Sequence, residues 1–126
     1  MPTVAKLFLI LGAAAGSLGV AFGAFGAHAL RERLAPEMLA IYQTAVQYHF
    51  WHALGLVAIG LAAAHLPESM PLKWAGALML AGIFLFSGSL YALALTGVRA
   101  LGAITPIGGV AFIAAWIAFA WAVWKG

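Results

Sequence analysis

The chain has 126 residues, of which 66% are hydrophobic and 7% are charged, and its formal net charge is +3. A soluble domain of this length could not cover so much apolar surface, so the composition predicts an integral membrane protein. The six basic residues are scattered, which excludes a nucleic-acid-binding patch, and the absence of cysteine excludes disulfides and thiolate metal sites.

Four long apolar segments predict an all-α fold, a four-helix transmembrane bundle forming one domain over residues 1–126. The predicted helices cover about residues 7–27, 37–64, 74–95 and 104–124. Pro36 is expected in the first turn of helix two, Pro71 in the connection before helix three, and Thr105 as the N-cap of helix four.

Glycines of the first helix recur on one face, at alternating spacings of four and three residues: Gly12, Gly16, Gly19, Gly23 and Gly26. Helices in lipid associate by close backbone approach rather than by a hydrophobic drive. The spacing therefore predicts a packing seam, against which a neighbour with large side chains can lie. Helix two carries such side chains, among them Phe50 and Trp51.

Helix two contains an apolar run, residues 53–64, that is too short to cross a bilayer alone. At 1.5 Å per residue it covers about 18 Å, against a hydrocarbon core of roughly 30 Å. The helix must therefore extend back towards Pro36, which draws His49 and His52 below the headgroups. Polar groups at that depth need hydrogen-bond partners within the protein.

Polar side chains are concentrated in one half of the predicted bundle, near the connections that carry Arg31, Arg33 and Arg99. This distribution predicts a polar pocket that is open to one side of the membrane and binds or passes a small solute, proton or ion. His52 lies deepest and is the expected relay residue. The predicted pocket residues are His28, Gln47, Tyr48, His49, His52, Ser87, Ser89, Tyr91 and Thr105.

Four motifs in order resemble the YgdD/YwdK-like family of small bacterial inner-membrane proteins. They are GAFGAHAL at residues 23–30, QTAVQYHFWHALG at 43–55, FSGSLY at 86–91 and GAITPIGG at 102–109. The resemblance covers nearly the whole chain. It implies a multi-pass protein of the bacterial plasma membrane, and it implies no activity, substrate or cofactor.

Two other functions are consistent with the sequence. The polar face could dock a larger membrane complex, which makes the protein a structural or assembly partner. Alternatively, His49 and His52, spaced by three residues, could bind a metal ion or haem with His28 as a third ligand, although no carboxylate lies among them. A purely structural role is the favoured alternative to metal binding, in which these histidines hydrogen-bond backbone carbonyls, serines or Tyr91 across helices. No enzyme motif is present, so a non-enzymatic protein is expected.

The expected partners are membrane lipids and a second copy of the chain, because so small a bundle has more lipid-facing surface than core. Gly108 and Gly109 offer helix four a contact surface for that copy. The arginines Arg31, Arg33 and Arg99 could hold lipid phosphates or pair with Glu32 and Glu37, although ordinary snorkelling of their side chains to the membrane surface is the favoured interpretation. Three basic residues fall on each side of the membrane, so the positive-inside rule does not choose an orientation.

Overall fold

The computed structural model describes residues 1–126, and all of its regular structure is helical. Two π-helical turns and one 3-10 turn accompany the α-helices: Gly26–Leu30 extends the first helix, Ile83–Ser87 joins the third to the fourth, and Arg99–Ala103 precedes the fifth. The five α-helices are α1 (Thr3–Phe25), α2 (Pro36–His65), α3 (Met70–Gly82), α4 (Gly88–Thr96) and α5 (Thr105–Lys125).

The helices form four antiparallel rods, because α3 and α4 continue into each other as one rod over Met70–Thr96. α1 packs along α2, α2 packs along the α3–α4 rod, and α3 packs along α5, whereas α1 and α5 do not pack together. The end with Arg31, Arg33 and Arg99 is called the arginine side. The opposite end, which carries Lys6, Lys73 and Lys125, is called the lysine side. There Gly126 lies against Leu66, in the connection between α2 and α3.

Three of the four rods are long and apolar enough to cross a membrane: Thr3–Leu30, Met70–Thr96 and Arg99–Lys125. α2 has 30 residues and a length of about 45 Å, which would suffice, but it is not among these apolar spans. The all-α prediction is therefore confirmed, while the fourth span is supported by length and not by composition.

Two helices begin earlier than predicted. α1 begins at Thr3, ahead of the predicted start near Leu7. α3 begins at Met70, since Pro71 falls in the first turn, where a proline has no hydrogen bond to lose. The hydroxyl of Ser69 caps this helix by accepting a hydrogen bond from the Leu72 N–H at 3.3 Å.

The glycine seam of α1 lies against α2, as its spacing predicted. A Cβ at Gly12 would come within 2.7 Å of the Val57 side chain, and a Cβ at Gly26 would overlap the ring of Tyr42. Gly19 and Gly23 likewise lie against Phe50 and Val46 of α2. Gly16 differs, because a Cβ there would meet nothing within 4 Å.

Gly108 serves a different purpose from the predicted contact with a second copy. It is buried against the backbone of Leu85 and Phe86 in the π-helical turn, where any Cβ would overlap main-chain atoms. Gly109 is half-buried, and a Cβ there would stay 3.8 Å from the ring of Phe86. The Gly108 contact thus holds α5 to the α3–α4 rod within one chain.

These two neighbouring glycines give a matched test of the α5 contact. Gly108→Ala should destabilise the protein by about 1–3 kcal/mol, because the backbone at Leu85 and Phe86 cannot yield as a side-chain tip can. Gly109→Ala should change the stability little. Unfolding of each purified variant in mixed detergent micelles, followed by tryptophan fluorescence, measures the difference, and equal effects would contradict this contact.

Candidate functional site

The ring of His49 joins three helices on the arginine side. Its side chain is 4% exposed, its Nε2 lies 2.8 Å from the carbonyl oxygen of Ala15 in α1, and its Nδ1 lies 2.8 Å from the hydroxyl of Tyr91 in α4. Because a carbonyl only accepts, Nε2 carries the proton and donates to Ala15. In the neutral ring, Nδ1 then accepts the hydrogen bond that the Tyr91 hydroxyl donates.

Three hydroxyl groups make further bonds between helices near His49. The fully buried hydroxyl of Ser87 donates to the carbonyl of Ala45 in α2 at 2.8 Å. The hydroxyl of Ser89 donates to the Phe86 carbonyl at 2.9 Å, so the Thr105 hydroxyl is the donor in its 2.6 Å bond with Ser89 Oγ. Thr105 therefore links α5 to α4 and makes no cap at the start of its own helix.

Tyr42 belongs to the same group of bonds, although the sequence did not single it out. Its side chain is 3% exposed, and its hydroxyl donates to the carbonyl of Phe22 at 2.5 Å. The ring fits over Gly26, the last glycine of the seam. The signal available in the sequence was the seam itself, since a glycine opposite a tyrosine leaves room for that ring.

His52 is separate from this network. Its Nδ1 donates to the Tyr48 carbonyl of its own helix at 2.6 Å, and its ring stacks on Phe112 of α5 with a centroid distance of 3.5 Å. Its Nε2 makes no hydrogen bond and keeps slight exposure at the surface between α2 and α5. No hydrogen bond joins His52 to His49, so the two imidazoles form no continuous relay.

The remaining predicted pocket residues lie outside the network. His28 and Gln47 are exposed, and Tyr48 is half-buried with its ring against Phe86 at a centroid distance of 4.4 Å. No three histidine or carboxylate side chains lie close enough together to hold a metal ion, and His28, His49 and His52 do not converge.

The arginine side and the lysine side are held together differently. Hydrogen bonds from side chains of one helix to another helix all lie towards the arginine side, as described above, and every fully buried side-chain nitrogen or oxygen has a partner. The lysine-side half is packed by apolar residues such as Leu56, Ile59, Leu72 and Met79. Five of the nine predicted pocket residues, His49, Ser87, Ser89, Tyr91 and Thr105, thus bond between helices.

An apolar cleft of about 340 Å³ lies beside the network, between α1 and the α3–α4 rod. The ring of Phe22 meets that of Tyr91 at 5.2 Å at its arginine-side end, and Phe8 is seated on Gly76 at its lysine-side end. His49 and Tyr91 present mainly ring carbons to it, since their polar atoms are bonded to each other and to Ala15. The other lining residues include Leu11, Ala14, Leu18, Leu80, Ile83, Phe84 and Gly88.

Comparisons with known proteins give relatives along nearly the whole chain. Residues 22–109 match the family described as "Protein of unknown function (DUF423)". The UPF0382 membrane protein YwdK of Bacillus subtilis is 52% identical over 112 residues, which cover 89% of this chain and 91% of that protein. A UPF0382 membrane protein of Staphylococcus haemolyticus is 49% identical over 89% of this chain and 90% of its own. No solved structure matches.

The pairing of His49 with Tyr91 can be measured by a double-mutant cycle. His49→Leu and Tyr91→Phe should each destabilise the fold, and their coupling should be about 0.6 to 1.7 kcal/mol, the range for hydrogen bonds between membrane helices. Thr44→Val is the control, because its hydroxyl bonds only to Ala40 of the same helix. Unfolding in dodecyl sulfate mixed micelles gives the energies, and additive effects would contradict the bond.

Proposed function

The chain belongs to the DUF423 family, which its motifs had indicated, and from this premise we propose a four-span, non-enzymatic protein of the bacterial plasma membrane that holds the hydrocarbon chain of a lipid. The site is the cleft between α1 and the α3–α4 rod. The observation that carries the proposal is the apolar lining of this cleft, at the level of the middle of two membrane-spanning helices.

The placement of α2 as a fourth span rests on the direction of its polar side chains. Mean hydropathy counts a buried histidine as though lipid surrounded it, whereas His49 and His52 are turned towards neighbouring helices. α2 also packs along both α1 and the α3–α4 rod, which are apolar enough to span. A helix held between two spanning rods lies at the same depth as they do.

The chemistry of the cleft favours a hydrocarbon chain over a solute or an ion. A polar group that entered it would lose water and find almost no exposed partner, at a cost of roughly 2–7 kcal/mol. The contacts of Phe22 with Tyr91 and of Phe8 with Gly76 close both ends, so the cleft opens sideways to lipid. A membrane-spanning helix would need a groove that is open at its ends, whereas one acyl chain does not.

The hydrogen bonds of the network keep the cleft open at a fixed width. His49 holds the Ala15 carbonyl of α1 and Tyr91 of α4 on its two ring nitrogens, and Tyr42 holds α1 again at Phe22. These bonds fix the position of α1 beside α2. α1 therefore does not close onto the α3–α4 rod to fill the space.

Assembly with other membrane helices is a second candidate function, and the free Nε2 of His52 favours it. This atom accepts no hydrogen bond within the chain, and the centroid of its ring lies 5.9 Å from that of the exposed Trp116. A hydrogen-bond donor on the helix of a second copy, or of a larger complex, would satisfy it. Passage of protons has less support, since nothing links His52 to His49.

The four-span arrangement can be tested with single cysteines, because the chain has none of its own. Glu32→Cys and Glu68→Cys lie at the two ends of α2, and both positions are exposed. An impermeant maleimide should label them from opposite sides of oriented membranes. Labelling of both from the same side would show that α2 does not cross.

Occupation of the cleft can be tested by filling it. Ala14→Phe places a ring in the cleft, whereas Ala13→Phe adds the same ring at an exposed position outside its lining. Phospholipids with a photoactivatable acyl chain should crosslink to the cleft residues of the wild-type protein, and several-fold less to the Ala14→Phe variant. Ala13→Phe should behave as wild type. Crosslinks spread evenly over all lipid-facing residues would refute the proposal.

A further inference from the structure

The arginines of the arginine side fall into two classes. Arg99 forms a two-pronged ion pair with Glu37, with Nη1–Oε1 and Nη2–Oε2 distances of 3.0 and 3.4 Å. Arg31 and Arg33 are exposed and form no ion pair or side-chain hydrogen bond, and neither does Glu32 between them. The first connection therefore presents two unpaired guanidinium groups at the membrane boundary.

A groove of about 280 Å³ lies below this connection, on the outer surface of the α1–α2 pair. Gly23 and Ala27 of α1 form one wall and Gln43 and Gln47 of α2 the other, and the groove shares no residue with the apolar cleft. Arg31 continues the helical path with φ −53° and ψ −38°, about one turn beyond Ala27. The groove thus ends about one helical turn from Arg31, and its lining residues lie on the hydrocarbon side of the arginines.

The two glutamines are the unusual feature of this groove. Both are exposed, neither has a hydrogen-bond partner in the chain, and a spacing of four residues stacks them about 6 Å apart on one helix face. Gln43 lies about 10 Å along the helix from Pro36, below the boundary where the arginines lie. An amide at this depth needs partners from its surroundings, because lipid tails offer none.

We infer that this groove binds an anionic phospholipid, with the phosphate at Arg31 and Arg33 and the ester region at Gln43 and Gln47. Guanidinium groups bind phosphate oxygens in pairs, and amide N–H groups donate to ester carbonyls. The small side chains of Gly23 and Ala27 leave room for the start of an acyl chain. A zwitterionic lipid would bring its own cation towards the arginines, so the site selects an anionic headgroup.

Native mass spectrometry tests this inference. The full-length protein in detergent is titrated with phosphatidylglycerol or with phosphatidylcholine of identical acyl chains, and the binding of each lipid is measured. The wild type should prefer phosphatidylglycerol. The double variant Arg31→Gln with Arg33→Gln should bind phosphatidylglycerol about thirtyfold more weakly, because each arginine contributes about 1 kcal/mol. Its affinity for phosphatidylcholine should not change. Lys73→Gln with Lys125→Gln, on the lysine side, is the matched control and should keep the preference.

Two further variants separate the contributions of the groove. Gln43→Leu with Gln47→Leu should weaken both lipids by a similar factor, since the ester region is common to them. Arg31→Lys with Arg33→Lys keeps the charge and should keep most of the preference, and unchanged phosphatidylcholine binding by the Arg→Gln variant shows that this variant is folded. The inference would be overturned if the Arg→Gln variant kept the preference for phosphatidylglycerol, or if the lysine-side control lost it. Displacement of the lipid by inorganic phosphate would overturn it too.

The inference and the proposed function can fail independently. Ala14→Phe fills the cleft and should not alter the preference for phosphatidylglycerol, because no residue is common to the two sites. The arginine variants should not alter crosslinking of acyl chains in the cleft. Loss of both properties in either variant would show that the two observations report one site and would refute the groove.

Discussion

The ring of His49 is the interaction on which the relative positions of the helices depend. It is the one side chain that hydrogen-bonds to both α1 and α4, and it does so with both of its nitrogens. Lipid gives helices no hydrophobic reason to associate, so close contact along the glycine seam and a few hydrogen bonds must define the packing. The seam supplies close approach between α1 and α2, and the His49 bonds fix how far α1 lies from α4.

α2 explains how a chain with so few polar residues can keep several of them buried. It lies between α1 and the α3–α4 rod, and its two histidines are buried. Its carbonyl at Ala45 also receives the Ser87 hydroxyl. The least apolar helix is therefore the central one, and its neighbours, rather than water, satisfy its polar groups. The more apolar rods, α1 and α5, form the outer positions.

Side-chain periodicity was sufficient to predict the α-helices and the seam, and backbone carbonyls and Tyr91 were foreseen as kinds of partner for the histidines, but the particular pairings could not be predicted. The acceptors at Ala15, Ala45 and Phe22 are backbone carbonyls, which carry no signal in a sequence. The π-helical turn at Ile83–Ser87 shifts the faces of the residues that follow it, so helical spacing could not show that Tyr91 meets His49. The cleft could not be predicted, because it is a gap between α1 and the α3–α4 rod, and the spacing of side chains in a sequence indicates contacts rather than gaps.

The unequal distribution of hydrogen bonds along α1 has a mechanical consequence. This helix is held at its middle by the bond to Ala15 and in its arginine-side half by the bond to Phe22, whereas its first two turns are held by packing contacts such as those of Phe8. Packing contacts alone are cheaper to separate than packing together with buried hydrogen bonds. We therefore expect the first two turns to be the part of α1 that detaches from its neighbours at the least cost.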